Sequence, residues 1–218
     1  MMAKSKSFQT FEQTFGRSQG MMALAVFYQR SLDEGHIEEH QFMRVSDVAR
    51  AAIVIGVSAM DRYYTRRFAE QLVPYVKAHG PTRGIAEMLE KAGLDTYQAL
   101  ELFSTARPYR RVRALVDAHL EHQVTQRFDV IDKLFLCFGI KDFCQRVQET
   151  TQKTRLLRTV RKLINRRHQI VHEGDVDSRG KLRPLNVQQT CKWMKELGRF
   201  VYHSEELLNK VFSARSMP

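Results

Sequence analysis

Only five prolines and eleven glycines punctuate the 218 residues of this chain, and that scarcity of breakers constrains its fold more than any other feature. Proline removes a backbone donor and glycine weakens a helix, so a chain short of both can sustain long helical runs. Between the breakers, apolar residues recur at three- and four-residue intervals, which is the helical period, and strand-like alternation is scarce. The expected class is all-α. Two long helices near the start and two at the end predict a four-helix bundle, with a helical insertion at about 80–150, all in one domain spanning 1–218.

The spacing predicts a first helix over 8–32, broken near Gly16 and Gly20, and then a polar stretch with Gly35, His36 and His40. Ser46 reads as the N-cap of a second helix, and Asp47 suits the positive end of its dipole. That helix is apolar all round over 51–60, which predicts central burial, and Pro74 is expected to end or kink it. Shorter helices are expected over 82–91, 95–106, 108–126, 128–138 and 142–147. A long helix over 154–172 ends at Gly174, a polar turn covers 175–184, and a final helix covers 187–212.

Lys and Arg outnumber Asp and Glu by 35 to 24, a formal charge of +11. The excess favours a polyanionic partner, with RNA or DNA ahead of an acidic membrane, against the alternative of a solvated basic surface. Three cysteines, Cys137, Cys144 and Cys191, cannot all pair within the chain and fit no zinc or redox spacing, which suits a reducing, cytoplasmic setting. The first ten residues lack the apolar core of a signal peptide, and the longest apolar run is about half a membrane span. No membrane association is expected. Gly-rich phosphate loops, His-Glu-x-x-His, Gly-x-Ser-x-Gly and acidic metal clusters are absent, which sets aside NTPase, kinase, metalloprotease and α/β-hydrolase chemistry. No short helix–turn–helix pair favours a DNA-binding regulator.

The helix over 154–172 departs from its own pattern. One apolar row runs through Leu156, Val160 and Leu163 to position 167, and the other through Leu157 and Ile164 to positions 168 and 172. Where aliphatic residues should continue, the chain supplies Arg167, His168 and His172. Unpaired buried charge costs several kcal/mol, so local rules failing together mark a candidate site. His168 and His172 are four apart on one face, and Arg167 lies about 140° from His172 around the helix. A fixed cation beside two imidazoles suits phosphodiester chemistry, because imidazoles move protons and a guanidinium holds charge on phosphate. Three plainer readings stay open. Arg167 could pair with a carboxylate at the bundle edge. His168 and His172 could share a metal with Glu173 or Asp175. His172 could simply sit at the negative end of the helix dipole.

Beside the trio, Lys153, Arg155, Arg158, Arg161, Lys162, Arg166 and Arg167 follow one another with no acidic residue between 153 and 167. The first six leave the apolar stripe free and read as a track for an RNA backbone leading to Arg167. A second cluster, Arg107, Arg110, Arg111 and Arg113, lies in the insertion and suits a solvated face or RNA equally.

Arg167-His-Gln-Ile-Val-His172 resembles the Arg-x₄-His motif of the HEPN family, and the string Asn165-Arg-Arg-His-Gln-Ile-Val-His-Glu-Gly-Asp175 is similar to the RiboL-PSP-type subgroup. The stretch Val57-Ser-Ala-Met-Asp-Arg-Tyr-Tyr64 also resembles that subgroup's apolar helix ending in an acid and aromatics. The resemblance implies a HEPN-like helical bundle that dimerises with motif helices facing each other and cleaves RNA without metal or cofactor, leaving a 2′,3′-cyclic phosphate. It further implies a toxin or antiviral-defence effector restrained by an antitoxin or sensor protein, or else a non-catalytic HEPN module that binds nucleotide or nucleic acid or scaffolds a partner. Carried over, Arg167 would hold the phosphate, His172 would act as general acid or base, and His168 occupies the motif's variable polar position. Asp61 would orient Arg167 or a histidine, or equally satisfy Tyr63 or Tyr64.

Overall fold

The computed structural model describes residues 4–38, 44–121 and 125–215. Among these lie nine helices: α1 (Lys6–Asp33), α2 (Val45–His79), α3 (Arg83–Lys91), α4 (Thr96–Ser104), α5 (Pro108–Glu121), α6 (Phe128–Leu136), α7 (Phe143–Thr150), α8 (Leu156–Glu173) and α9 (Val187–Arg215). The described residues contain no strand, only an isolated antiparallel bridge between Val176 and Leu182. The all-α expectation holds. His40 and the expected continuation of the fifth helix through 122–124 fall outside the described residues.

The four long helices form the bundle. α1 lies along α2, α9 touches both, and α8 packs against α2 and α9. The hydroxyl of Ser5 caps α1 by accepting from the Phe8 N–H, and Phe8, Phe11, Phe15, Ser18, Met22 and Ala25 bury one face at three- and four-residue spacing. The expected break at Gly16 and Gly20 is absent. Each glycine costs a helix about 1 kcal/mol relative to alanine, less than the roughly 1.5–3 kcal/mol gained by burying each phenylalanine of that face.

α2 differs from expectation at both ends. It starts at Val45, with Arg44 as the N-cap residue, and the Asp47 carboxylate accepts from the Arg44 N–H at 3.1 Å. Ser46 is inside the helix, where its hydroxyl accepts from Arg50 instead. Nor does Pro74 end the helix, which runs on to His79. An interior proline costs about 3 kcal/mol, and packing offsets it: Leu72 and Tyr75 are buried, and the Tyr75 ring meets that of Phe138 at 5.0 Å. Over 51–60 the central burial holds, with Ala52, Ile53, Gly56, Val57, Ala59 and Met60 all buried.

The insertion shares the bundle's core. Tyr64 of α2 packs its ring against Phe135 of α6, Phe143 of α7 and Phe200 of α9 at 6.2, 6.3 and 5.9 Å, and all four are fully buried. Removing 80–150 would therefore strip one wall from the aromatic core. Close helix contact elsewhere depends on glycine: a Cβ on Gly198 of α9 would stand 2.7 Å from the Phe15 ring.

Candidate active site

α8 presents the trio because its start is core and its end is not. Leu156, Val160 and Leu163 are its only fully buried residues, so its last two turns have no complete cover. Arg167 continues the buried row and is half-buried, with Nε enclosed and without a hydrogen-bond partner. His168 and His172 are exposed, and their rings lie 4.6 Å apart with planes 42° from parallel. The expectation that all three replace core positions is thus corrected for the two histidines. Their row begins with Leu157 and Ile164, which are only half-buried, and a periodic stripe is core only where a neighbour covers it.

Among the described residues no carboxylate pairs with Arg167. Glu173 pairs with Arg183 at 3.3 Å and Asp175 faces inward, so neither joins the histidines as a third metal ligand. Among the described residues no group of three potential ligands gathers. His172 does lie in the last turn of α8, where a cation is favoured.

What fixes this end of α8 is a buried ion cluster. Gly174 caps the helix in the left-handed conformation (φ 64°), and Asp175 follows at φ 57°, folding the chain back under α8. Asp175 is fully buried, and its Oδ2 accepts from Arg50 Nε of α2 at 2.5 Å and from Arg166 Nη2 at 2.8 Å. Arg50 also donates to the Arg183 carbonyl at 2.6 Å, and Arg166 to the carbonyls of Arg183 and Pro184. Two cations and one anion therefore clamp the 175–184 turn to both helices.

Several expected site residues are placed differently. The guanidinium of Arg166, expected on the RNA track, is engaged in this clamp. Asp61 meets neither Arg167 nor a histidine: its carboxylate accepts from the Thr125 hydroxyl and from Gln126 Nε2 at 3.0 Å. The tyrosines that Asp61 was a candidate to satisfy have other partners. Tyr63 donates to Glu205 at 3.0 Å, and Tyr64 bonds Ser204. Burial, then the neighbouring Glu205 charge, pushes the Tyr63 phenol well above its ordinary value, so it stays protonated.

The rest of the track runs from the turn before α8 onto the outer face of that helix. Arg155 and Arg158 are exposed. Lys153 pairs with Glu196 at 2.9 Å, Lys162 stands over the Trp193 ring at 5.1 Å, and Arg161 over the Phe128 ring at 5.4 Å. In the second cluster Arg111 pairs with Glu101 at 3.0 Å, while Arg113 joins Lys6, Arg62 and Arg66 around a separate cleft.

Sequence reading missed Arg50, and offered Asp175 only as an alternative metal ligand and the end of the motif string. One signal pointed to the first: a lone arginine just ahead of the all-apolar run of α2 needs a buried anion. Nothing local marked Asp175 as that anion, because its partner is 125 positions away. Compared with known proteins, the chain matches no family model, no curated protein and no solved structure. No helix among the described residues is long and apolar enough to cross a membrane.

Proposed function

We propose that this all-helical bundle handles phosphate at the exposed end of α8, and more particularly that it is a metal-independent endoribonuclease of HEPN type. The observation that carries the reading is Arg167: a half-buried guanidinium with no carboxylate partner among the described residues, beside two exposed imidazoles whose rings lie 4.6 Å apart. A half-buried guanidinium with no carboxylate partner costs stability, whereas a phosphate beside it would compensate the charge. The resemblance of 165–175 to the HEPN motif supports RNA as the bearer of that phosphate.

In the proposed reaction one imidazole removes the proton of a ribose 2′-OH while the 2′ oxygen attacks the adjacent phosphorus. A second imidazole gives a proton to the departing 5′ oxygen, so the P–O5′ bond breaks as the P–O2′ bond forms. The products are a 2′,3′-cyclic phosphate and a 5′-OH end, with no water consumed. Arg167 holds the charge that builds on the non-bridging oxygens. Positioned acid–base catalysis contributes about 10²–10⁴-fold and one charge-stabilising donor about 10²–10³-fold.

The two histidines share one face of one helix, so proton donor and acceptor on opposite sides of a phosphate call for a second copy of the chain. Support for a homodimer at this end comes from apolar exposure. Val171 is 46% exposed between the histidines. Leu24, Phe27 and Tyr28 at the end of α1 are also exposed, and the Ser18–Ala52 and Arg50–Asp175 contacts put them toward the same end of the bundle. A toxin or defence role, with an antitoxin or sensor protein restraining it in the cytoplasm, follows from the family resemblance alone.

The deciding experiment incubates the purified protein with total RNA in excess EDTA, alongside Arg167→Ala and His172→Ala. Cleavage by the wild type, with both variants folded and inactive, is the expected outcome. Equal cleavage by all three would sink the assignment, and RNA binding without cleavage would favour the non-catalytic module.

A further inference from the structure

Beside the trio, on the same face of α8, lies a groove of about 240 Å³ that the catalytic reading does not use. Arg161, Ile164 and Asn165 of α8 form one wall, and Gln126, Arg127, Phe128 and Asp129 at the start of α6 form the other. Residues 161, 165, 168 and 172 are separated by four, three and four positions, so Arg161 and Asn165 line up with His168 and His172 along one strip of helix surface. At about 1.5 Å per residue, Asn165 sits about one turn from His168, and Arg161 about two turns. A strand whose phosphate rests at the imidazoles would bring a neighbouring base to this groove.

The lining suits a base more than a bare phosphate. Arg127 is held by Asp129 through two hydrogen bonds, at 3.0 and 2.9 Å, so much of its charge is already answered. Phe128 and Ile164 give an apolar floor, and the Arg161 guanidinium lies over the Phe128 ring as a planar surface. Gln126 is nearly buried and anchored through its Nε2 to Asp61, so this amide is held in one orientation. Asn165 is exposed at the rim. Planar cations and aromatic floors stack bases, while Asn and Gln amides discriminate among base edges.

We propose that this groove is the base-binding subsite for a nucleotide flanking the scissile phosphate, making cleavage nucleotide-selective. Arg161 supplies the stacking surface, and Asn165 and Gln126 read the base edge. The Asp61–Gln126 bond then has a purpose: it positions a specificity-determining amide rather than a catalytic group. The proposal rests on the ribonuclease reading for which strand end lies at the histidines, but its own content is base recognition.

The test takes wild type, Asn165→Ala and Arg161→Ala, with an RNA pool randomised around one cleavable segment, and sequences the new 5′-OH ends. Wild type should prefer one base at a single position next to the cut, by about tenfold. Asn165→Ala should flatten that preference while leaving other positions as they were, and Arg161→Ala should weaken use of the pool while keeping part of the preference. No preference beside the cut, or an unchanged preference in both variants, overturns the subsite. A wild type that cuts nothing defeats the ribonuclease reading instead. The subsite is then decided by selecting randomised oligoribonucleotides bound to His172→Ala. Enrichment of one base that disappears in the His172→Ala, Asn165→Ala double variant upholds it, and no enrichment overturns it.

Discussion

Asp175→Asn removes one negative charge while keeping shape and a carbonyl acceptor, and one buried and one partly buried cation feel the loss. The side chain of Asp175 is 1% exposed, and those of Arg50 and Arg166 are 7% and 19% exposed. Breaking a buried pair from one side costs about 3–5 kcal/mol, because the remaining charge is left uncompensated. Arg50 keeps Asp47 at 3.2 Å and the Arg183 carbonyl, which argues for the lower end, about 3 kcal/mol. For a chain of this size each kcal/mol moves Tm by about 2–4 °C, so a drop of roughly 6–12 °C is expected. Thermal unfolding followed by far-ultraviolet circular dichroism measures it. On the proposed ribonuclease reading, RNA cleavage at a temperature where the variant is still folded should also fall, since the clamp sets where α8 ends. A Tm within about 2 °C of wild type would show that the cluster does not hold the turn.

Two further outcomes test the packing and the electrostatics. Burial alone would raise the Glu70 carboxyl, but the Ser7 hydroxyl, the Ser7 and Lys6 backbone N–H groups and the nearby Arg67 together hold it below the ordinary value. Its charged form thus favours the folded state above the ordinary glutamate range, and that contribution is lost as pH falls through the lowered folded value. Glu70→Gln should cost about 1 kcal/mol or less near neutrality, given solvent screening, with the difference closing in acid when urea unfolding is compared. Alanine at Gly198 should destabilise by about 1–2 kcal/mol, because overpacking against the Phe15 ring exceeds the gain in helix propensity. The same change at Gly16 or Gly20, where a Cβ meets nothing within 4 Å, should stabilise by about 0.5–1 kcal/mol. Denaturant midpoints of the three variants decide whether the signs are opposite.

Legibility in the sequence followed the range of the interaction. Thr82 and Asp95 cap α3 and α4 where the local pattern put helix starts, since a cap bonds an N–H only three residues away. Gly174 ends α8 as expected for the same reason. Pro74 does not end α2, because the energy that carries the helix past it comes in part from Phe138, in the turn after α6. Asp61 differs likewise: the family resemblance put it near Arg167 or a histidine, and only the return of the chain at Thr125 and Gln126 shows what it holds.

The trio itself divides along that line. Periodicity by itself located Arg167, His168 and His172 on one helix end, and the spacing of four fixed that the two imidazoles would share one face, because helix geometry is set within a turn. Whether those positions are buried depends on which helices pass over them, and that is decided by the whole bundle. The tertiary structure left the histidines in the open, left Arg167 half-covered with no carboxylate partner among the described residues, and diverted Arg166 to Asp175. Burial and pairing are long-range properties: they depend on partners such as Arg50, brought from far along the chain by packing that no local pattern encodes.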